Sequence, residues 1–129
     1  MKASAREWIE KAEADFVSAE REYRARKRPN YDAACFFAQQ CVEKYLKALL
    51  QKHGIAFGKT HDLAVLMRLC LDKYPLWEPG LDDMEALSRY AVQFRYPGES
   101  AEREDALESM RIMRVHRTQI RRAMGLRTK

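Results

Sequence analysis

The sequence predicts an all-α protein, an antiparallel up-and-down bundle of about five helices, and three observations predict it. Apolar residues recur at steps of three and four through every long segment, the period of a helix face and not of a strand. The 129 residues include only 5 Gly and 4 Pro, which leaves few turns and favours long helices over many short strands. Those few fall between the periodic segments, at Pro29, Gly54, Tyr74-Pro75, Pro97-Gly98 and Gly125.

The first helix is expected from Ser4 to Arg26, where Trp8, Ala12, Phe16, Ala19 and Tyr23 form one stripe. R-K-R-P-N ends it, and Asn30 is placed to cap the second. That helix, Tyr31 to His53, carries Ala34, Phe37, Cys41, Tyr45, Ala48 and Leu49 and stops at Gly54. Phe36, Val42 and Leu46 lie off its stripe, so it is apolar around much of its circumference. Such a helix is central, or faces both a core and a second subunit, and on this ground a dimer is expected. Thr60 is the candidate cap of a third helix, with Leu63, Leu66 and Leu69 or Cys70 inward as far as Tyr74-Pro75. A loop, P-L-W-E-P-G, follows. Asp82 and Glu85 then have the spacing of a capping box for a fourth helix through Met84, Leu87, Ala91 and Phe94. Pro97 holds Tyr96 extended, so this helix should end at or just before Tyr96. Ser100 is the candidate cap of a fifth helix that runs to about Ala123 and ends at Gly125.

At this length the chain reads as one domain spanning residues 1–129, and it is large enough to bury a core without metal or disulfide. With 47% apolar and 33% charged residues it is globular, not disordered. No apolar run approaches the ~18 residues needed to span a membrane, and M-K-A-S-A-R-E-W lacks a signal peptide's apolar core. Cys35, Cys41 and Cys70 read as reduced thiols packed as small hydrophobes, which makes a cytoplasmic location the expectation. His53, His61 and His116 have no helix-face spacing with another ligand type, so neither metal nor cofactor is expected.

The net charge of +5 has a local origin. Between Arg111 and Lys129 there are 7 Lys or Arg and no acid, while the other 110 residues hold 17 basic and 19 acidic groups, a balance of −2. On a helical wheel Ala106, Met110, Met113, Ile120 and Met124 make one apolar stripe. Arg103, Arg114 and Arg121 line up beside it, and Arg117 falls inside it. These arginines are either a solvated cationic helix end, with Arg117 snorkelling, or a phosphate-binding strip for nucleotide or RNA.

Three blocks, read together, carry a resemblance: A-x-x-D-F from Ala12 to Phe16, A-C-F-F-A-Q-Q-C-V-E-K-Y-L-K-A-L-L from Ala34 to Leu50, and T-H-D-L from Thr60 to Leu63. With R-Y-P at residues 95 to 97, the chain resembles the HEPN domain family over nearly its whole length, in the branch often found beside minimal nucleotidyltransferases. The resemblance implies a helical bundle that usually forms a homodimer. It further implies either an RNA-cleaving activity or a binding role toward nucleotide or a minimal nucleotidyltransferase partner, as in toxin–antitoxin or defence modules. Ribonuclease members carry arginine, four to six residues, then histidine near the joint before the last long helix, and two such motifs meet across the dimer.

In Q-F-R-Y-P-G-E-S, residues Gln93 to Ser100, the residue after a four-residue gap from Arg95 is Ser100. Serine without an activating base cannot take the place of an imidazole near neutral pH. A second match, Arg111 to His116, falls within a helix and puts the two side chains about 140° apart, so they join only through a partner subunit. The expectation is therefore a non-catalytic binding module with Arg95, Tyr96, Arg114, Arg117, Arg121 and His61 as ligand-contact candidates. A metal-independent endoribonuclease using Arg111 or Arg95 with His116 is the alternative. For each residue a structural role competes: Arg95 against helix-end carbonyls or Glu99, His61 bonding a backbone group at the start of the third helix. Glu43 and Lys47 form an i,i+4 pair worth a few tenths of a kcal/mol if exposed, and Gln39 and Gln40 are suited to a subunit interface.

Overall fold

The computed structural model describes residues 3–129, with side chains from Ala5 onward. It is a helical bundle: α1 (Ala3–Arg24), α2 (Tyr31–Lys52), α3 (Leu63–Cys70), a 3-10 segment (Pro75–Gly80), α4 (Leu81–Gln93) and α5 (Arg103–Ala123). No strand occurs among the described residues.

The stripes read from the sequence are the buried faces. Ala12 and Ala19 of α1, Leu63, Leu66 and Cys70 of α3, Met84, Leu87 and Ala91 of α4, and Ala106, Met110, Met113 and Ile120 of α5 are all buried. The punctuation holds as well. The Asn30 side chain accepts from the Ala33 amide at 2.9 Å, and Gly54 and Gly125 take left-handed angles of +68° and +72° after their helices.

Three helix starts differ from expectation, each for a local reason. Asp62, not Thr60, caps α3: its carboxylate accepts from the amides of Ala64 at 3.0 Å and Val65 at 3.3 Å, while Thr60 Oγ1 accepts from the Asp62 amide. Glu102, not Ser100, caps α5, in a reciprocal box with Asp105. α4 begins at Leu81 without a side-chain cap, because P-L-W-E-P-G is no open loop but a 3-10 turn that leads directly into it. The Asp82–Glu85 box is not formed; Asp82 and Asp83 sit in the first turn, where the helix dipole favours acids.

α2 is the axis of the bundle and packs against α1, α3, α4 and α5. Between Cys41 and Leu50 only Lys44 is not fully buried. Over this stretch the apolar circumference of α2 is covered within one chain, while Phe36 and Phe37 before it are only partly buried. Glu43, Lys47 and Gln39 are buried with it. Lys47 Nζ lies 3.1 Å from Glu43 Oε2, Gln39 Nε2 donates to Glu43 Oε1 at 3.2 Å, and the Lys47 ammonium sits over the Trp8 ring at 5.4 Å. This pair is an interior one, and losing one partner costs far more than the few tenths of an exposed pair. The three thiols are buried too. Burial pushes Cys35 up to about 11 and Cys70 up to about 12, and raises Cys41 well above its usual value.

α5 is fastened to α1 by ion pairs. Arg117 donates Nε and Nη2 to the two Glu13 oxygens at 2.8 and 2.7 Å and lies over the Phe16 ring at 4.2 Å. Arg114 grips Glu20 in the same two-pronged way at 2.8 and 2.7 Å. The Tyr45 hydroxyl of α2 donates to Glu13 and accepts from Arg121 at 2.9 Å. Burial alone raises the Glu13 carboxyl, but the hydrogen bonds from Arg117 and Tyr45 and the charges of Arg117 and Arg121 outweigh it and hold it below its ordinary value. Hydrogen bonding to Arg114 does the same for Glu20.

Glu13→Ala is expected to cost about 2–3 kcal/mol in urea unfolding, below the ~3–5 kcal/mol of a fully buried pair because Glu13 keeps some exposure. Carboxylates with depressed folded values contribute stability above their unfolded pKa and lose it as pH falls through the folded one. Unfolding midpoints should therefore hold from pH 7 to about 5 and drop below about pH 4, and Glu13→Gln should flatten that drop.

Candidate functional site

The joint between α4 and α5 is built by a stop and a pin. Phe94 closes α4 with its amide on Tyr90 O at 3.4 Å, and its ring stacks on Tyr90. Gly98, at φ +93°, lets the chain reverse. The Ala101 amide then donates to Asp32 Oδ1 at 2.6 Å, tying the joint to the first turn of α2. Arg95 and Tyr96 are left on the outside, Tyr96 with 65% of its surface exposed.

The Arg95 guanidinium lies over the Phe36 ring of α2 at 5.5 Å. Glu99 does not pair with it; that carboxylate accepts from Gln93 Nε2 at 3.3 Å. Among the described residues no carboxylate forms an ion pair with Arg95. The joint therefore presents a guanidinium fork whose hydrogen-bonding edge is open, with a tyrosine ring beside it and no imidazole.

Arg111 and His116 do meet, within one chain, through a residue the sequence reading passed over. Asp83, in the first turn of α4, takes Arg111 Nη2 on Oδ1 at 3.0 Å and His116 Nε2 on Oδ2 at 2.9 Å. One carboxylate on the neighbouring helix spans the angle between them, so no partner subunit is needed to join them. His116 is 3% exposed. Because a carboxylate can only accept, His116 carries its proton on Nε2, and Nδ1 lies buried without a partner. Burial raises the Asp83 carboxyl, yet the bonds from His116 and Arg111 more than reverse this and hold it low. Arg111 is held further by Glu108 at 2.6 Å. The enclosed imidazole links α5 to the first turn of α4.

His61 rests on the α2 polar cluster. Its Nδ1 is 3.1 Å from Glu43 Oε2, and its carbonyl accepts from Gln39 Nε2 at 3.2 Å. Most of the His61 ring is exposed, and its hydrogen-bond contact is to the side chain of buried Glu43 and not to a backbone group. Arg114, Arg117 and Arg121 stand on the α1-facing side of α5, already engaged by Glu20, Glu13, Tyr45 and the carbonyls of Arg127 and Thr128. The candidates thus separate into three places: Arg95 and Tyr96 at the joint, His61 above α2, and the α5 arginines in an interhelical seam. Glu13 and Glu20 left a signal in the sequence, seven residues apart beside the α1 stripe, as Arg114 and Arg121 are beside that of α5. Among the described residues no cluster of three metal-ligating side chains occurs.

A family model described as HEPN domain matches residues 5–120. The crystal structure of an archaeal HEPN homologue superposes with a TM-score of 0.61 at 28% identity, covering 93% of this chain and 99% of that one. No curated protein matches the sequence.

His116→Ala should lower stability by about 2–4 kcal/mol, since it opens a cavity and strips a partner from Asp83. The check is a urea titration, with far-ultraviolet circular dichroism confirming retained helix content.

Proposed function

We propose, for a chain that belongs to the HEPN domain family, a binding role without ribonuclease chemistry of its own. Arg95, flanked by Tyr96, holds a phosphate or carboxylate brought by the ligand: a nucleotide, or an acidic group of a minimal nucleotidyltransferase partner. One observation carries this reading. At the joint the arginine is exposed and free of any carboxylate among the described residues, and the imidazole that acid–base cleavage requires is not beside it. The chain's other arginine–histidine pair is engaged by Asp83, with the His116 ring buried.

Physical chemistry supports the assignment of roles. A guanidinium laid over Phe36 keeps its planar fork oriented while its edge stays hydrated and ready to exchange water for an oxyanion. The exposed Tyr96 ring offers a face or a hydroxyl to whatever follows that anion. A homodimer, as the family resemblance implies, would draw on the apolar surface left near this joint, where Val92 is 56% exposed and Phe36 partly so, and not on the occupied middle of α2.

Arg95→Ala should weaken binding of ATP, or of a co-purified nucleotidyltransferase partner, by about 1.5–3 kcal/mol, the range for a charged hydrogen bond, with the unfolding midpoint unchanged. Unchanged affinity together with lost stability would assign Arg95 to turn chemistry instead. Incubation with single-stranded and structured RNA should give no cleavage. Cleavage abolished by His116→Ala in a folded variant would establish the endoribonuclease alternative.

A further inference from the structure

His61 takes no part in the joint, and it differs from the other two histidines at one atom. Nε2 of His116 is bound to Asp83 at 2.9 Å inside the bundle, and Nε2 of His53 lies 2.9 Å from the Tyr74 hydroxyl. The His61 ring is fixed from its other side. Its Nδ1 is 3.2 and 3.1 Å from the two Glu43 oxygens, while no group among the described residues hydrogen-bonds its Nε2. The side chain is 78% exposed, so solvent reaches the ring.

Glu43 is a fixed acceptor and not a mobile surface acid. It is buried on α2, where Lys47 Nζ and Gln39 Nε2 donate to its two oxygens at 3.1 and 3.2 Å. The Lys47 ammonium is itself seated over the Trp8 and Phe57 rings, at 5.4 and 5.9 Å from their centroids. Gln39 also donates to the His61 carbonyl at 3.2 Å, so backbone and ring of His61 are tied to one cluster. A carboxylate only accepts, so the neutral ring carries its proton on Nδ1 and its free lone pair on Nε2. A carboxylate placed in this way orients an imidazole and stabilises the positive charge that forms when the far nitrogen reacts.

We propose that His61 Nε2 is a covalent acceptor of the phosphoryl group of a small acyl phosphate, with Glu43 as its positioning residue. The Nε2 lone pair attacks phosphorus and an N–P bond forms. The P–O bond to the acyl oxygen breaks, and its electron pair leaves with the carboxylate product. The Nδ1 proton stays in place, shared with Glu43, whose charge offsets that of the ring. A phosphoryl group suits an open site, because its transfer asks for position and charge and little else. Acyl transfer requires preorganised donors around a developing oxyanion, which a ring mostly in water lacks. The phosphorylated product stays hydrated there, and exposed Lys59 adds positive charge to the same loop. The neighbouring acid, Asp62, is turned to the amides of Ala64 and Val65. The site is separate from the joint and does not depend on Arg95.

The test incubates the protein with acetyl phosphate and follows intact mass, with peptide mapping in alkali, which preserves phosphohistidine. His61 should gain a phosphoryl group faster than N-acetylhistidine in the same solution by about tenfold or more, a lower bound for a positioned imidazole. Acid should remove the label, and His61→Gln should abolish it. Glu43→Gln combined with Lys47→Met removes the carboxylate without stranding a buried ammonium. It should bring the His61 rate down to that of N-acetylhistidine. Labelling confined to His53 or His116, a wild-type rate no greater than that of N-acetylhistidine, or an unchanged rate in the double variant overturns the proposal. Transfer of the acetyl group in place of the phosphoryl group overturns it as well. The comparison with N-acetylhistidine uses the wild-type protein, so it decides the outcome even if the double variant unfolds.

Discussion

The bundle depends on the contact between Glu13 and Arg117. Each is the other's main solution to a desolvation problem: an arginine inside an apolar stripe would be intolerable alone, and a half-buried glutamate nearly so. Glu13 turns toward Arg117 and Tyr45 together, so one carboxylate joins the first, second and last long helices. Phe16 supplies the guanidinium with a ring to lie on, one turn further along α1. Apolar stripes fix which faces meet, but they slide easily along one another. A two-pronged ion pair with a hydroxyl in third place does not slide, and it fixes the register of α5 against α1.

The same contact explains a charge distribution that would otherwise suggest a nucleic-acid surface. Four of the seven basic residues from Arg111 onward are consumed by carboxylates or by the Tyr45 hydroxyl. The excess of positive charge is real, but four of these arginines are paired within the chain, and Arg117 and Arg121 are largely enclosed. Arg95, by contrast, lies over the Phe36 ring and pairs with no carboxylate among the described residues.

The sequence-level reading recovers what is repeated or covalently local. Periodic stripes on all five helices, the Asn30 cap and the glycines after α2 and α5 need no knowledge of neighbours. Helix starts with several capping residues in a row are harder. T-H-D and S-A-E each offer rival acceptors, and the choice falls to the one whose position the incoming helix axis favours, Asp62 and Glu102. Contacts between helices are harder still. Arg111 and His116 diverge along one helix, yet Asp83, 28 and 33 residues away in the chain, joins them. The broad apolar surface of α2 likewise gives no indication of which neighbours cover it, and four helices do. Of the candidate contact residues, Arg95 and Tyr96 are exposed beside the Pro97-Gly98 stop, while Phe94 just before them turns inward.

The three cysteines have a consequence for how the molecule can be watched. Only a thiolate attacks an alkylating reagent or an oxidant, and these thiols are both enclosed and held almost wholly protonated at neutral pH. Cys35 and Cys41 lie on the axial helix, and Cys70 ends the short one that packs on it. A reagent in solution meets each sulfur only during the moments when helices part. Their modification rates therefore act as three internal clocks of breathing, one for each place where the bundle comes apart.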